Sequence, residues 1–148
     1  MFLSLVDWDQ LRIYASSKKI GVDCVLLPNI GLGYNHIVRV LEFVDGTRWI
    51  ARLRMPSLDS STSDRASITT EFTTTSLVMS VTDIPVPFIH AVEPKIHYLV
   101  KASFMLMDCL EGNVGMDLGM EVPSDRKTSF FNKMAHIHVR NQRRYLAS

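Results

Sequence analysis

The sequence predicts an α+β fold with an antiparallel sheet of about five strands. Two observations carry that expectation. Residues 37–44 (IVRVLEFV) are strand-like, meet Asp45-Gly46, and continue into the alternating TRWIARLRM, which reads as a hairpin. Around it, the elements run in the order helix, hairpin, helix, two strands, helix, with no internal repeat and no low-complexity tract.

Composition bounds the answer. A chain of 148 residues suits one ordinary domain or a fragment of a larger one. With 47% hydrophobic and 21% charged residues it is globular rather than disordered. A formal charge of +1 excludes a strong global field for nucleic acid or anionic lipid. No apolar run reaches the ~18 residues of a membrane span, and the start, MFLSLVDWDQL, lacks a basic leader region. Cys24 and Cys109 are too few for a disulfide scaffold or a closed zinc site. The expectation is therefore an intracellular, cytoplasmic setting, with no nucleic acid and no membrane as partner.

Each element has its own reason. Residues 7–19 form an amphipathic helix, with Trp8, Leu11 and Ala15 at helical spacing and Asp7 as N-cap. Gly21 ends it after two lysines. Residues 22–30 are extended, and Pro28 confines them to an edge or a strand end. In the second hairpin strand Trp49, Ala51 and Leu53 share one face, while Ile50, Arg52 and Arg54 share the other. Residues 56–67 are polar and turn-rich, which reads as a loop. From Ser67 to Val81 threonines disfavour a helix, yet Ile68, Phe72, Thr75 and Met79 recur at helical spacing with Glu71 at the stripe's edge. A helix is expected there. The prolines of I-P-V-P then force an extended path into a short strand. YLVKASFMLMDCL is an apolar strand region ending at Glu111-Gly112. Residues 124–139 form a last helix with Ser124 as N-cap, and RNQRRYLAS is a basic tail. The expected organisation is an N-terminal helix (1–20), a main lobe with connector (21–112), the start of a second lobe (113–139) and a divergent tail (140–148).

Four features bear on chemistry. Gly31, Gly33 and Asn35 sit in the turn before the first hairpin strand, where bare backbone approaches a phosphate closely. Arg52 stands mid-strand, where a guanidinium can fork onto phosphate or carboxylate oxygens. Glu71, mid-helix, can hold Arg52 by a bidentate pair. FMLMDCLEG is an apolar strand breaking into a connector, which can offer backbone groups to a flat heterocycle. Taken singly, each has an ordinary structural reading: a turn, a solvated cation, an exposed carboxylate, a buried strand.

Taken in order, they resemble the N-terminal lobe of the protein-kinase-like fold. The closer resemblance is to the aminoglycoside phosphotransferase and choline-kinase-like family, particularly its fungal branch. The residues that carry it are G-Y-N-H-I-V-R-V (33–40), F-V-D-G-T-R-W-I-A-R-L (43–53), Glu71, T-D-I-P-V-P (82–87) and F-M-L-M-D-C-L-E-G (104–112). It covers about residues 7–139, with the 124–139 helix similar to the first helix of the family's C-terminal lobe. The resemblance implies roles by position. Gly31, Gly33 and Asn35 match the phosphate-covering loop. Arg52 matches the nucleotide-gripping cation, and Glu71 its helix partner. Ile50 would roof adenine, Met107 would guard the back of the pocket, and Asp108 and Leu110 match connector positions whose backbone groups meet adenine. The implied ligand is ATP, with magnesium only where a second lobe supplies its ligands.

The departure is equally specific. The family carries a later His-Gly-Asp-x-x-x-x-Asn segment and a second metal-binding Asp. His36, His90, His97, His136 and His138 are followed by Ile, Ala, Tyr, Ile and Val, and none begins a His-x-Asp. The expectation is a truncated small-molecule kinase-like domain, with no catalytic residue and no metal ligand assigned, and inactive alone. Two alternatives stay open: a non-catalytic nucleotide-binding or protein-interaction module, and a gene fragment without function. The apolar face of the last helix (Phe130, Met134, Ile137) would then want a protein partner.

Overall fold

A computed structural model describes residues 2–55, 61–111 and 122–145, with backbone alone for 61–67 and 138–145. Expectations for 56–60, for Gly112, for 113–121 and for 146–148 lie outside the described residues.

The chain divides into two compact units, Met1–Leu110 and Glu111–Ser148. The first opens with helix α1 (Trp8–Lys18) and carries β1 (Cys24–Leu32), β2 (His36–Phe43), β3 (Arg48–Arg54), helix α2 (Ser61–Val81), β4 (Ile89–Glu93) and β5 (Phe104–Asp108). The second carries a short 3₁₀ turn, Ser124–Arg126, and helix α3 (Lys127–Tyr145). The first unit is α+β: its five strands form one antiparallel sheet in the order β1-β2-β3-β5-β4.

Strand alternation sorts the sheet into two faces. Ile37, Leu41, Trp49, Ala51, Leu53, Phe104 and Leu106 point to one face and form the core with Leu11 and Ala15 of α1. Tyr14 sets its ring edge-on to Phe104 and donates its hydroxyl to Glu93 Oε1 at 2.6 Å. Asp7 caps α1 as expected, accepting the Gln10 N–H at 3.0 Å. On the other face Val38 lies opposite Arg52, Arg52 opposite Met105, and Ile50 opposite Met107. Helix α2 covers part of that face and buries Ile68.

The hairpin turns as its Asp-Gly predicts. Gly46 sits at φ +83°, its N–H reaches the Phe43 carbonyl, and Asp45 Oδ1 accepts the Thr47 N–H. Strand β1 is a sheet edge, and its register with β2 shifts between Leu26 and Ile30, around Pro28. Arg39 Nη2 donates to the Leu27 carbonyl that the shift leaves unpaired, at 2.8 Å, and its guanidinium lies over the Trp8 ring.

Four expectations need correction. The 56–67 loop is shorter, because α2 already begins at Ser61. Its Ser-Thr-Ser-Asp start is polar, as a loop is, but those residue types also suit a first helical turn. The strand expected within 98–110 covers only Phe104–Asp108. Before it the chain turns at Tyr98–Val100, and Lys101 takes φ 61° while its N–H reaches the His97 carbonyl. Ser124 is not an N-cap: it lies inside the 3₁₀ turn, whose preceding residue is Pro123. Nor is 140–145 a tail, since α3 continues to Tyr145. A basic helix end needs no apolar stripe, and its cations favour the negative pole of the helix dipole.

Candidate functional site

The site grows from strand parity. Arg52 faces away from the α1 core because Ala51 and Leu53 on either side of it are buried there. Helix α2 crosses the same face, and Glu71, three residues after the buried Ile68, lies on the same side of the helix. The two meet, but through one hydrogen bond rather than the expected bidentate pair, since Arg52 Nε has no hydrogen-bond partner. Arg52 Nη2 donates to Glu71 Oε1 at 3.3 Å, and Arg52 Nε lies 3.3 Å from Glu71 Oε2.

A third member joins them. His36 begins β2, opposite Arg54 and on the Arg52 face. Its Nδ1 lies 3.3 Å from Arg52 Nη2, and its Nε2 lies 3.4 Å from Glu71 Oε1. A guanidinium has only donors, so Nδ1 must accept, and the neutral ring carries its proton on Nε2, toward the carboxylate. Sequence reasoning missed His36 as a site residue. The parity that placed Arg52 would have found it, since Val38 pairs with Arg52 and residue 36 shares the face of residue 38.

Burial lowers the His36 pKa below its ordinary 6.5, Arg52 and Arg54 push the same way, and Glu71 opposes them. Below that ordinary value the unfolded chain therefore binds more protons than the folded one. Stability is complete at neutral pH and falls as pH drops through about 6.5 toward the lower folded value. Melting temperatures from about pH 7.5 to 5.5 should fall more steeply for the native protein than for His36→Gln. Parallel slopes would show that His36 does not carry the dependence.

Beside Arg52 and Glu71 opens a cavity of about 440 Å³, lined also by Thr70, Thr74, Thr75, Pro87, Met105 and Met107. That volume falls within the roughly 300–1,000 Å³ of small-molecule sites. One wall is polar and carries the cation; the other is apolar. Met107 is thus brought to Arg52 and Glu71, and Ile50 shares their face as the cross-strand partner of Met107. Thr70, Thr74, Pro87 and Met105 were not singled out from the sequence. Thr74 lies three residues after Glu71 and four after Thr70, spacings that set it on a shared face of α2 with each of them.

The glycine segment is the β1–β2 turn. Gly31 is still in β1, paired with Val38, and the Gly33 N–H closes the turn on the His36 carbonyl at 2.8 Å. Neither glycine takes a left-handed φ, so bare backbone is what they contribute there. Asn35 is exposed, and its carbonyl accepts the Met55 N–H. At the connector, Asp108 turns its carboxylate toward β4, and its N–H goes to the Phe88 carbonyl at 2.9 Å. Only its carbonyl therefore remains for a ligand. Leu110 is 54% exposed.

Among the described residues, no group of three His, Cys, Asp or Glu could hold a metal ion, and no helix is long and apolar enough to cross a membrane. No protein-family model matches the chain, and no curated protein matches it.

Proposed function

We propose that this chain is the nucleotide-binding lobe of a small-molecule kinase-like protein, similar to the aminoglycoside phosphotransferase and choline-kinase-like family. The observation that carries the reading is the Arg52–Glu71 pair, joined across strand and helix at the wall of the 440 Å³ cavity. Glu71 holds the guanidinium by one edge, and among the described residues Arg52 Nη1 meets no acceptor, so that edge is left for phosphate oxygens. The Gly31–Asn35 turn covers the phosphates. Ile50 and Met107 flank the base, and the connector at Asp108 and Leu110 meets its edge. When bound, ATP supplies the phosphoryl group; this chain's residues grip and orient it. None of its histidines begins a His-x-Asp, so the general base and the magnesium ligands are not supplied here, and turnover by these 148 residues alone is not expected.

A second reading, a protein-interaction surface, is favoured by α3, where Phe130, Phe131, Met134 and Ile137 are 43%, 61%, 51% and 39% exposed. One titration separates the two. At a hundredfold excess over Kd, ATP should stabilise the chain by about 2.7 kcal/mol, which raises Tm by roughly 5–10 °C in differential scanning fluorimetry. An unchanged Tm at millimolar ATP removes the nucleotide reading and leaves the second.

A further inference from the structure

Among the described residues, the Arg52 guanidinium is fixed by two hydrogen bonds, and one nitrogen makes both. Nη2 donates to Glu71 Oε1 and to His36 Nδ1, each at 3.3 Å, while Nε is buried with no hydrogen-bond partner. The carboxylate oxygen that Nη2 reaches is contested. His36 Nε2 lies 3.4 Å from the same Oε1, buried and without a hydrogen-bond partner of its own.

The charged groups around the ring come from two elements. Arg52 and Arg54 face it from β3, and Glu71 faces it from α2; the turn at Gly31–Asn35 brings no charged side chain. The His36 side chain is 12% exposed, and its backbone carbonyl accepts the Gly33 N–H, so the ring has little room to swing clear.

A proton on the ring reverses both contacts. Nδ1 then carries a hydrogen aimed at the Arg52 Nη2 donor, and a bond becomes a meeting of like charges. Nε2 becomes a charged donor toward Oε1, the oxygen that Arg52 uses. Arg52 thus loses one of its two bonds and meets competition for the other. Arg52 and Glu71 line the 440 Å³ cavity, and His36 is not among the described residues that line it, so its effect on a ligand passes through these two.

We propose that His36 is a positioning residue that sets how firmly Arg52 grips an anionic ligand: the neutral ring holds the guanidinium against Glu71, and the charged ring takes the carboxylate and releases the guanidinium to the phosphate oxygens. This deepens the nucleotide reading above and rests on it. Acid strengthens the grip by two routes. Arg52 is freed, and the Glu71 charge that repels phosphate is offset by the imidazolium beside it.

The test is calorimetric titration of ATP into the full chain at pH 7.5 and pH 5.0, with His36→Gln beside the native protein. The γ-phosphate gains a proton over this range and weakens binding to both proteins alike, so the ratio of native to variant affinity is the quantity read. It should rise by about fivefold toward acid pH, as expected of one cation gained near bound phosphate. With adenosine, which carries no phosphate, the ratio should not change. A merely structural role for His36 would move both ligands together. A second measurement needs no variant: the His36 imidazole, followed by NMR in the native protein, should titrate at higher pH with ATP bound than without it. A ratio that is flat or falls toward acid, a change that adenosine shares, or an imidazole titration unmoved by ATP overturns the proposal, while ATP binding itself keeps the nucleotide reading. If the native protein binds ATP at neither pH, the nucleotide reading fails and this inference falls with it.

Discussion

Arg52→Ala is expected to weaken ATP binding by about 10- to 100-fold, the range of a charge-assisted contact. Two effects add. The guanidinium that meets the phosphates is gone, and Glu71, left beside the cavity with only the His36 ring as neighbour, keeps a negative charge that repels them. Apo stability should change far less. The side chains of Arg52 and Glu71 are 36% and 31% exposed, and ion pairs so open to water contribute about 0–1 kcal/mol. Arg52→Lys should fall between, keeping the charge but losing the planar fork that Glu71 holds. The measurement is calorimetric titration of ATP into each variant, with a thermal melt of each apo protein. Undiminished affinity in Arg52→Ala would mean that the pair is structural and the ligand grip lies elsewhere.

Phe104→Ala should cost about 3–5 kcal/mol of folding stability. Phe104 is fully buried, lies opposite Leu53 in the sheet, and meets the Tyr14 ring edge-on at 5.2 Å. It therefore joins α1 to β5 through the centre of the core. Truncation removes its own burial and leaves a cavity that neither the strand nor the capped helix can collapse to fill. Against a total of roughly 5–15 kcal/mol, such a loss lowers Tm by roughly 6–20 °C in a domain of this size. Urea unfolding followed by tryptophan fluorescence reads it through Trp49 and Trp8. A loss below about 1 kcal/mol would show that α1 does not dock on this face.

The readable parts of the sequence were those set by local periodicity. Period two placed Trp49, Ala51 and Leu53 inside and Arg52 outside, and the three residues are buried in the core while Arg52 lines the cavity. Helical spacing prevailed over the threonines of α2, whose hydroxyls bond back within the helix, as Thr73 does to the Thr69 carbonyl at 2.9 Å. What stayed hidden depends on partners distant in sequence. A non-glycine residue in the left-handed region, such as Lys101, leaves no mark in the sequence, and so an apolar run was read as one long strand. The Arg52–Glu71 pairing was visible because a family pattern suggests it. His36 was within reach of the same parity, whereas the bond between His90 Nε2 and Asp108 Oδ1, 18 residues apart, emerges only once the strand register is known.

The outer rim of β1 bears on how the protein behaves when concentrated. Val25, Ile30 and Leu32 stand 58%, 40% and 69% exposed along it, an oily border that would ordinarily invite another chain to add itself as a sixth strand. The kink between Leu26 and Ile30 denies that template. Pro28 offers no N–H, the register breaks, and the Leu27 carbonyl is already occupied by Arg39. An incoming strand finds no continuous row of donors to zip along, so greasy side chains and a protected backbone coexist on one edge, and polymerisation through that rim is blocked by geometry rather than by charge.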